Sequence, residues 1–253
     1  TVLLDGLPTE LLDSIEVYKT LTPNQDLEGI GGRIEFNTKK ATALEEPVLK
    51  FRYDTQYNEY SKSGNNPKYS LTYGDKITEN FGAIFGYTFQ SKDIVSNNNE
   101  VGYEPWAVDS NGNKYLARDW EMRFYDLTRE REGMTIDMDF EYSPNTSFFM
   151  NYLFNEYVDD EVRHKDEYRA RDVVESSITS TSAAYQRITA DKESKKRIET
   201  RQIETQIIGG ETSFGDLFFK FQVSNSFAEE ADDNNIDAKF RSECRIREGD
   251  EIC

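Results

Sequence analysis

From Glu46 onward, apolar and polar side chains alternate with a period of two, the spacing of strands that have one apolar and one polar face. Leu49, Phe51, Tyr53, Thr55 and Tyr57 alternate with Lys50, Arg52, Asp54, Gln56 and Asn58. Tyr69, Leu71 and Tyr73 alternate with Lys68, Ser70 and Thr72. Phe81, Ala83, Phe85, Tyr87 and Phe89 then alternate with Gly82, Ile84, Gly86, Thr88 and Gln90. Further strands are predicted where Met134 to Tyr142 set apolar even positions against Thr135, Asp137, Asp139 and Glu141, and at the even positions Phe148 to Phe154. Two more end near Ile203, Thr205 and Ile207, and at Leu217, Phe219, Phe221 and Val223, which makes about seven strands.

The connections alternate in length. Gly74 to Asn80, Ser143 to Ser147 and Gly209 to Asp216 are short, whereas Ser91 to Ala117 and Glu161 to Arg187 read as long polar loops. Short turns on one side and long loops on the other suit an up-and-down barrel in an outer membrane. A soluble β-sandwich with one wet face fits the same periodicity. Residues 1–45 differ: a helix-like piece, Pro8 to Asp13, precedes strand-like pieces at Ser14 to Lys19 and Arg33 to Thr38. Between these lies a loop ending in Gly29-Ile30-Gly31-Gly32, where glycine permits positive φ or close backbone approach.

Composition narrows the function classes. Acids outnumber bases by 48 to 30, a net charge of -18 that repels phosphate backbones, so no nucleic-acid partner is expected. No apolar stretch approaches the roughly 20 residues of a membrane helix. Yet aromatics reach 13%, with 15 Tyr and 16 Phe, which sets the chain apart from disordered acidic segments. The lone histidine, His164, reads as a solvated loop residue. One His and two Cys supply neither a His-based catalytic triad nor a multi-histidine zinc site. No enzyme activity, cofactor or metal is expected. The chain starts at Thr1 without a signal pattern and stops at Cys253 without an ending signal, as an internal fragment would.

The segment Leu11-Leu12-Asp13-Ser14-Ile15-Glu16-Val17-Tyr18-Lys19-Thr20, followed by Gly29-Ile30-Gly31-Gly32-Arg33-Ile34-Glu35-Phe36-Asn37-Thr38-Lys39, resembles the end of the plug domain of TonB-dependent outer-membrane receptors. Arg129-Glu130-Arg131-Glu132-Gly133 and Val158-Asp159-Asp160-Glu161-Val162-Arg163 resemble two barrel segments of the same family, in its Caulobacter and marine-type branch. Glu35-Phe36-Asn37-Thr38 departs from the family pattern, which often has an aliphatic residue before the Thr. The resemblance implies an all-β membrane barrel, partial in this chain, preceded by the C-terminal part of a small α+β plug domain. Residues 1–45 would be the plug's end, and 46–253 the first part of a barrel of about 22 strands. No energy-coupling box is present.

What the resemblance implies for function is energy-coupled uptake across a Gram-negative outer membrane of an oligosaccharide or ferric siderophore. Its partners would be the TonB complex, outer-membrane lipid and lipopolysaccharide. Ile15, Glu16, Val17, Gly29, Gly31 and Gly32 would form the plug motif. Lys50, Arg52, Asp137, Asp139 and Glu141 would face the lumen and either pair with plug charges or line a solvated wall. Tyr103, Trp106, Tyr115 and Trp120, with Phe124 and Tyr125 nearby, would sit around an external loop and contact ligand, or pack on themselves or in the outer aromatic girdle. Cys244 and Cys253 would lie outside the cell, where a disulfide closing a small loop is expected, unless each pairs beyond the chain's end. A secreted carbohydrate-binding sandwich and a passive porin or adhesin barrel are the competing functions.

Overall fold

The computed structural model describes residues 12–20, 32–38, 40–64, 66–101, 106–108, 111–117, 119–179, 182–247 and 250–252. Antiparallel strands account for nearly all of them. A two-stranded hairpin, β1 (Leu12–Tyr18) with β2 (Arg33–Thr38), comes first. A single sheet follows, built from β3 (Val48–Thr55), β4 (Pro67–Thr78), β5 (Phe81–Val101), β8 (Asp119–Ser143), β9 (Thr146–Val174), β10 (Ala184–Phe214) and β11 (Leu217–Arg247). The three-residue β12 (Asp250–Ile252) adds to β11, and a small hairpin of β6 (Trp106–Val108) and β7 (Lys114–Ala117) follows β5. Neighbours in the sheet are neighbours in sequence, apart from the β6–β7 excursion, so the main sheet is a meander of seven long strands with a short eighth.

Three hairpins close through two residues each, at 79–80, 144–145 and 215–216. At the last, Gly215 takes φ +58°, the left-handed first position that a type II′ turn demands. The opposite ends diverge. The strands run much further that way than hydropathy predicts, to 31 residues in β10 and in β11. Glu161 to Arg187, expected as a loop, is strand up to Val174 and again from Ala184, and Ser91 to Val101 continues β5. The helix-like reading of Pro8 to Asp13 falls partly outside the described residues, and β1 already begins at Leu12.

Register that is continuous from β5 through β10, apart from a shift at the Glu141–Ser143 turn end, sorts the side chains into two faces. The usual distribution is inverted. Ser70, Thr72, Thr135, Asp137, Asn155, Asp159 and Glu199 are buried on the polar face, while Leu49, Phe51, Tyr53, Phe140, Phe148, Phe219 and Val223 are exposed on the aromatic face. Among the described residues only Ala41, Ile84 and Leu127 are buried hydrophobics. A sheet in water buries its apolar face and wets its polar one.

β11 carries one irregularity that matters later. Between Lys196 and Ile198 of β10 its register shifts, so that two residues, Asn234 and Asn235, bulge opposite one. Asn234 takes φ +53°, which asparagine tolerates better than most residues. Below the bulge the even positions of β11 share the polar face, and above it the odd positions do.

The small core lies where the chain enters the sheet. A 3-10 turn at Ala41–Ala43 packs on the polar face, with Ala41 fully buried against Ile84 and Leu44 beside them. Gly82 permits this: a Cβ there would lie 2.6 Å from the Ala41 carbonyl carbon. Gly82→Val is therefore expected to lift residues 40–44 off the sheet at a cost of about 1–3 kcal/mol. Amide exchange at Ala41 and Thr42 should quicken in that variant, and unchanged protection would refute the packing argument.

Candidate functional site

The described part of residues 1–45 meets the sheet at two polar contacts. The Ala41 N–H donates to Asp139 Oδ2 at 2.7 Å, and Lys40 Nζ lies 3.3 Å from Glu211 Oε1 on β10. Asp137, one step further along β8, is buried and accepts from Asn151 Nδ2. Glu141 is exposed at the turn end, and its N–H donates to the Asn80 carbonyl at 2.8 Å. On the edge strand β3, Lys50 and Arg52 stand opposite Thr72 and Ser70, and Arg52 Nε pairs with Asp54 of its own strand at 2.6 Å. The five expected lumen charges thus share the polar face, and Asp139 is one that touches the entering segment. Glu211, which hydropathy did not single out, supplies the other contact.

In the first hairpin, Ile15, Glu16 and Val17 pair with Phe36, Glu35 and Ile34. Gly32 has φ +119°, and a Cβ on it would come 2.6 Å from the Tyr18 carbonyl oxygen, so both uses expected of the glycine cluster meet in this one residue. Gly29 and Gly31 lie outside the described residues, as does Tyr103. Trp106 and Tyr115 belong to the backbone-paired β6 and β7. Trp120, expected at a loop, is instead half-exposed in β8, between Val101 of β5 and Tyr168 of β9. Phe124 and Tyr125 are also in β8 and face opposite sides of the sheet, so they join no single aromatic platform. His164 is a strand residue too, stacked on Phe124 with ring centroids 6.4 Å apart. Cys244 sits in β11 rather than after the last strand and is disulfide-bonded. The sequence has one other cysteine, Cys253, outside the described residues.

The main feature of the polar face is a network of charges along the strand extensions. Asp159, Glu161, Arg163, Lys165, Glu167, Arg169 and Arg171 occupy successive odd positions of β9, and all are charged. Arg129 of β8 binds Asp159 at 3.1 Å, which joins the two charged motifs quoted above across one strand pair. Arg163 and Lys165 bind Glu193 of β10 at 2.6 and 3.2 Å, and Arg197 binds Glu161 and Glu199 at 3.5 and 3.0 Å. Arg171 forks onto Asp119. Glu161 and Glu167, inside the expected loop, are therefore buried and paired strand residues.

Asp191 is the centre of this network, with only 1% of its surface exposed. In register it stands between Glu167 and Arg241, with Glu121 beyond Glu167, so three acids adjoin across three strands. Arg241 in the same row and cations one step along the neighbouring strands compensate. Arg241 donates to Asp191 through Nε at 2.6 Å and Nη2 at 2.9 Å, Lys239 lies at 3.2 Å and Arg169 at 3.6 Å. Lys239 and Arg241 reach this face only because of the Asn234 bulge. The Arg241 hydrogen bonds hold the Asp191 carboxyl far below the usual carboxylate range, against the opposing effect of burial. Burial pushes Glu167 up, but the bonds from Arg169 and Lys165 outweigh it and leave its pKa lowered. Lys165 and Arg163 do the same for Glu193.

No protein-family model, curated protein or solved structure matches this chain. What fold and site define is an antiparallel all-β sheet with a charge-paired polar face and an apolar face open to its surroundings. Among the described residues, no group of three or more His, Cys, Asp or Glu side chains is arranged to hold a metal, and no helix is long and apolar enough to cross a membrane.

A depressed carboxylate pKa stabilises the fold above the unfolded value and loses that contribution as pH falls through the folded one. For Asp191 the contribution is full well above 3.8 and erodes below it. Amide protection around Ala190 to Ile198, corrected for intrinsic exchange, should stay flat from about pH 7 to about pH 5 and fall below about pH 4. Asp191→Asn should remove about 1–3 kcal/mol of that protection at neutral pH, because three cations are left facing an amide. Equal protection in the variant and the natural protein would contradict this account.

Proposed function

We propose that this chain is the plug-end and barrel-wall segment of a TonB-dependent receptor, which takes up a scarce or bulky ligand, an oligosaccharide or a ferric siderophore, across a Gram-negative outer membrane. The inverted sheet carries the reading. Leaving one Phe, Leu or Val in water instead of burying it forgoes about 1.5–3 kcal/mol, so a whole exposed face of them calls for an apolar solvent. The outward residues Phe81 to Phe89 span eight strand steps, about 27 Å along the strand. At a tilt of about 40° that gives about 21 Å of height, close to the roughly 25 Å apolar band of outer-membrane barrels. From the row of Phe89 onward the same face turns polar, through Glu132, Glu130 and Thr128 on β8 and Glu156 and Asp160 on β9.

In this reading the polar face lines the lumen, and the charged extensions rise beyond the membrane as a paired wall. The sheet contact of residues 40–44 ties the plug to the barrel through one backbone hydrogen bond, one exposed ion pair and a few apolar contacts. Energy delivered by the TonB complex rearranges the plug ahead of that tie and opens a path along the polar face. The protein performs no bond chemistry.

Extraction of membranes tests the location. The natural protein should stay in the outer-membrane pellet through salt and high-pH washes and leave it only in detergent, with an intact mass well above that of these residues. Release into buffer would instead support a secreted sandwich. Collapse of the proton gradient should stop ligand accumulation in cells. Uptake that continues would mark a passive barrel and sink the energy-coupled reading.

A further inference from the structure

On the face away from the paired charges, aromatic side chains reappear far along the strand extensions. Trp120 of β8 and Tyr168 of β9 stand directly opposite each other, 49% and 37% exposed, with Cβ atoms about 5 Å apart as the register requires. Phe124 and His164, the stacked pair, form another row of the same face two rows nearer the turns. Asn97 of β5 flanks Phe124 and donates through Nδ2 to the Tyr60 hydroxyl. Tyr60 is held there by its own connection. Asn58 Oδ1 accepts the Tyr60 N–H at 3.0 Å, and Asn58 Nδ2 donates to the Asp93 carbonyl at 3.2 Å, which pins the β3–β4 link to β5. The row between the two aromatic ones is polar on β9 and β10, where Asp166 faces Lys192 in a loose, exposed ion pair of 3.8 Å.

Rings on either side of hydrogen-bonding groups match the two-sided chemistry of a pyranose. Its C–H face packs on an aromatic ring, and its hydroxyl rim bonds to amide, carboxylate and ammonium groups. The core of a protein–protein interface is depleted of charge, whereas Asp166 and Lys192 lie in the middle of this patch. Height selects the saccharide. Phe124 and Trp120 lie eight and twelve residues beyond Glu132, where the apolar band ends. At about 3.4 Å per residue and a tilt of about 40°, that is about 20–30 Å above the band. Lipid headgroups reach only roughly 5–8 Å beyond the hydrocarbon. A solute in the lumen would lie on the other side of the sheet and would not meet these rings.

We propose that this patch, centred on Trp120 and Tyr168, binds the saccharide chain of the lipopolysaccharide around the barrel. The inference rests on the membrane location proposed above and adds a binding site to it, separate from the path of the transported ligand.

Calorimetry on the natural protein in detergent tests it. The probes are the lipid-free saccharide released by mild acid from smooth lipopolysaccharide and the same preparation from a deep-rough strain, which lacks the outer sugars. The smooth saccharide should bind at least roughly tenfold more tightly than the deep-rough one. Trp120→Ala and Tyr168→Ala should each weaken it roughly tenfold. Trp120→Phe keeps a ring and should hold the loss to about threefold, a rescue that misfolding does not imitate. Phe227→Ala removes a half-exposed aromatic of the same face inside the apolar band and should leave affinity within about twofold. Unchanged affinity in the two alanine variants, or an equal loss in Phe227→Ala, would overturn the patch. So would a second polypeptide bound to the natural protein and released by Trp120→Ala, with no saccharide binding. Energy-independent uptake alongside the expected affinities would overturn the transport reading alone.

Discussion

Side-chain placement in this protein depends on antiparallel register held across the strands from β5 to β10 as far as the Glu141–Ser143 turn end. A strand's side chains alternate with a period of two, so a shift of one residue sends every one of them to the other face. Here that shift would put Phe and Tyr among the paired charges and expose Asp191 with its cations. Two-residue turns at the closed ends of the hairpins fix the register locally. The ion pairs between strands fix it again far from those turns, where hydropathy gives no preference.

The charge pairs do more than hold register. Buried carboxylates are costly unless hydrogen-bonded and paired, and the polar face has many of them. Placing cations in the same row or one step along a strand turns rows of like charge into a lattice in which Glu167, Asp191, Glu193 and Glu199 each meet at least two cations. The chain's net charge of -18 is therefore unevenly placed. The polar face is close to balance in the extensions, and the excess acid lies elsewhere, including Glu130, Glu132, Glu156 and Asp160 on the aromatic face.

Much of the fold was legible in hydropathy. The seven long strands, their order and the short turns all follow from alternating Phe, Tyr, Leu and Met against polar residues. The extensions were not legible that way, because both of their faces are polar. Their signal is a period of two in charge: the odd positions 159 to 171 of β9 are all charged, whereas the even ones include Val162, Tyr168 and Ala170. Reading charge as well as hydropathy would have recovered β9 and β10 at nearly full length and made strand residues of the supposed loop acids and His164. The partnership of Asp191 with Lys239 and Arg241 was beyond either signal, since it depends on a bulge. Glu211 escaped because its partner, Lys40, lies 171 residues away.

The bulge at Asn234 and Asn235 also sets how this strand tolerates change of different kinds. Substitutions on either side of it alter one contact at a time. Loss of a single residue there would rotate the whole outer stretch of β11 by half a turn, carrying Ile236, Ala238 and Phe240 to the charged face and Lys239 and Arg241 away from it. Length, more than identity, is thus the constrained quantity between Asp233 and Ile236. Related chains that share the Asp191 cluster should vary freely in which residues fill this gap, yet keep their number at two.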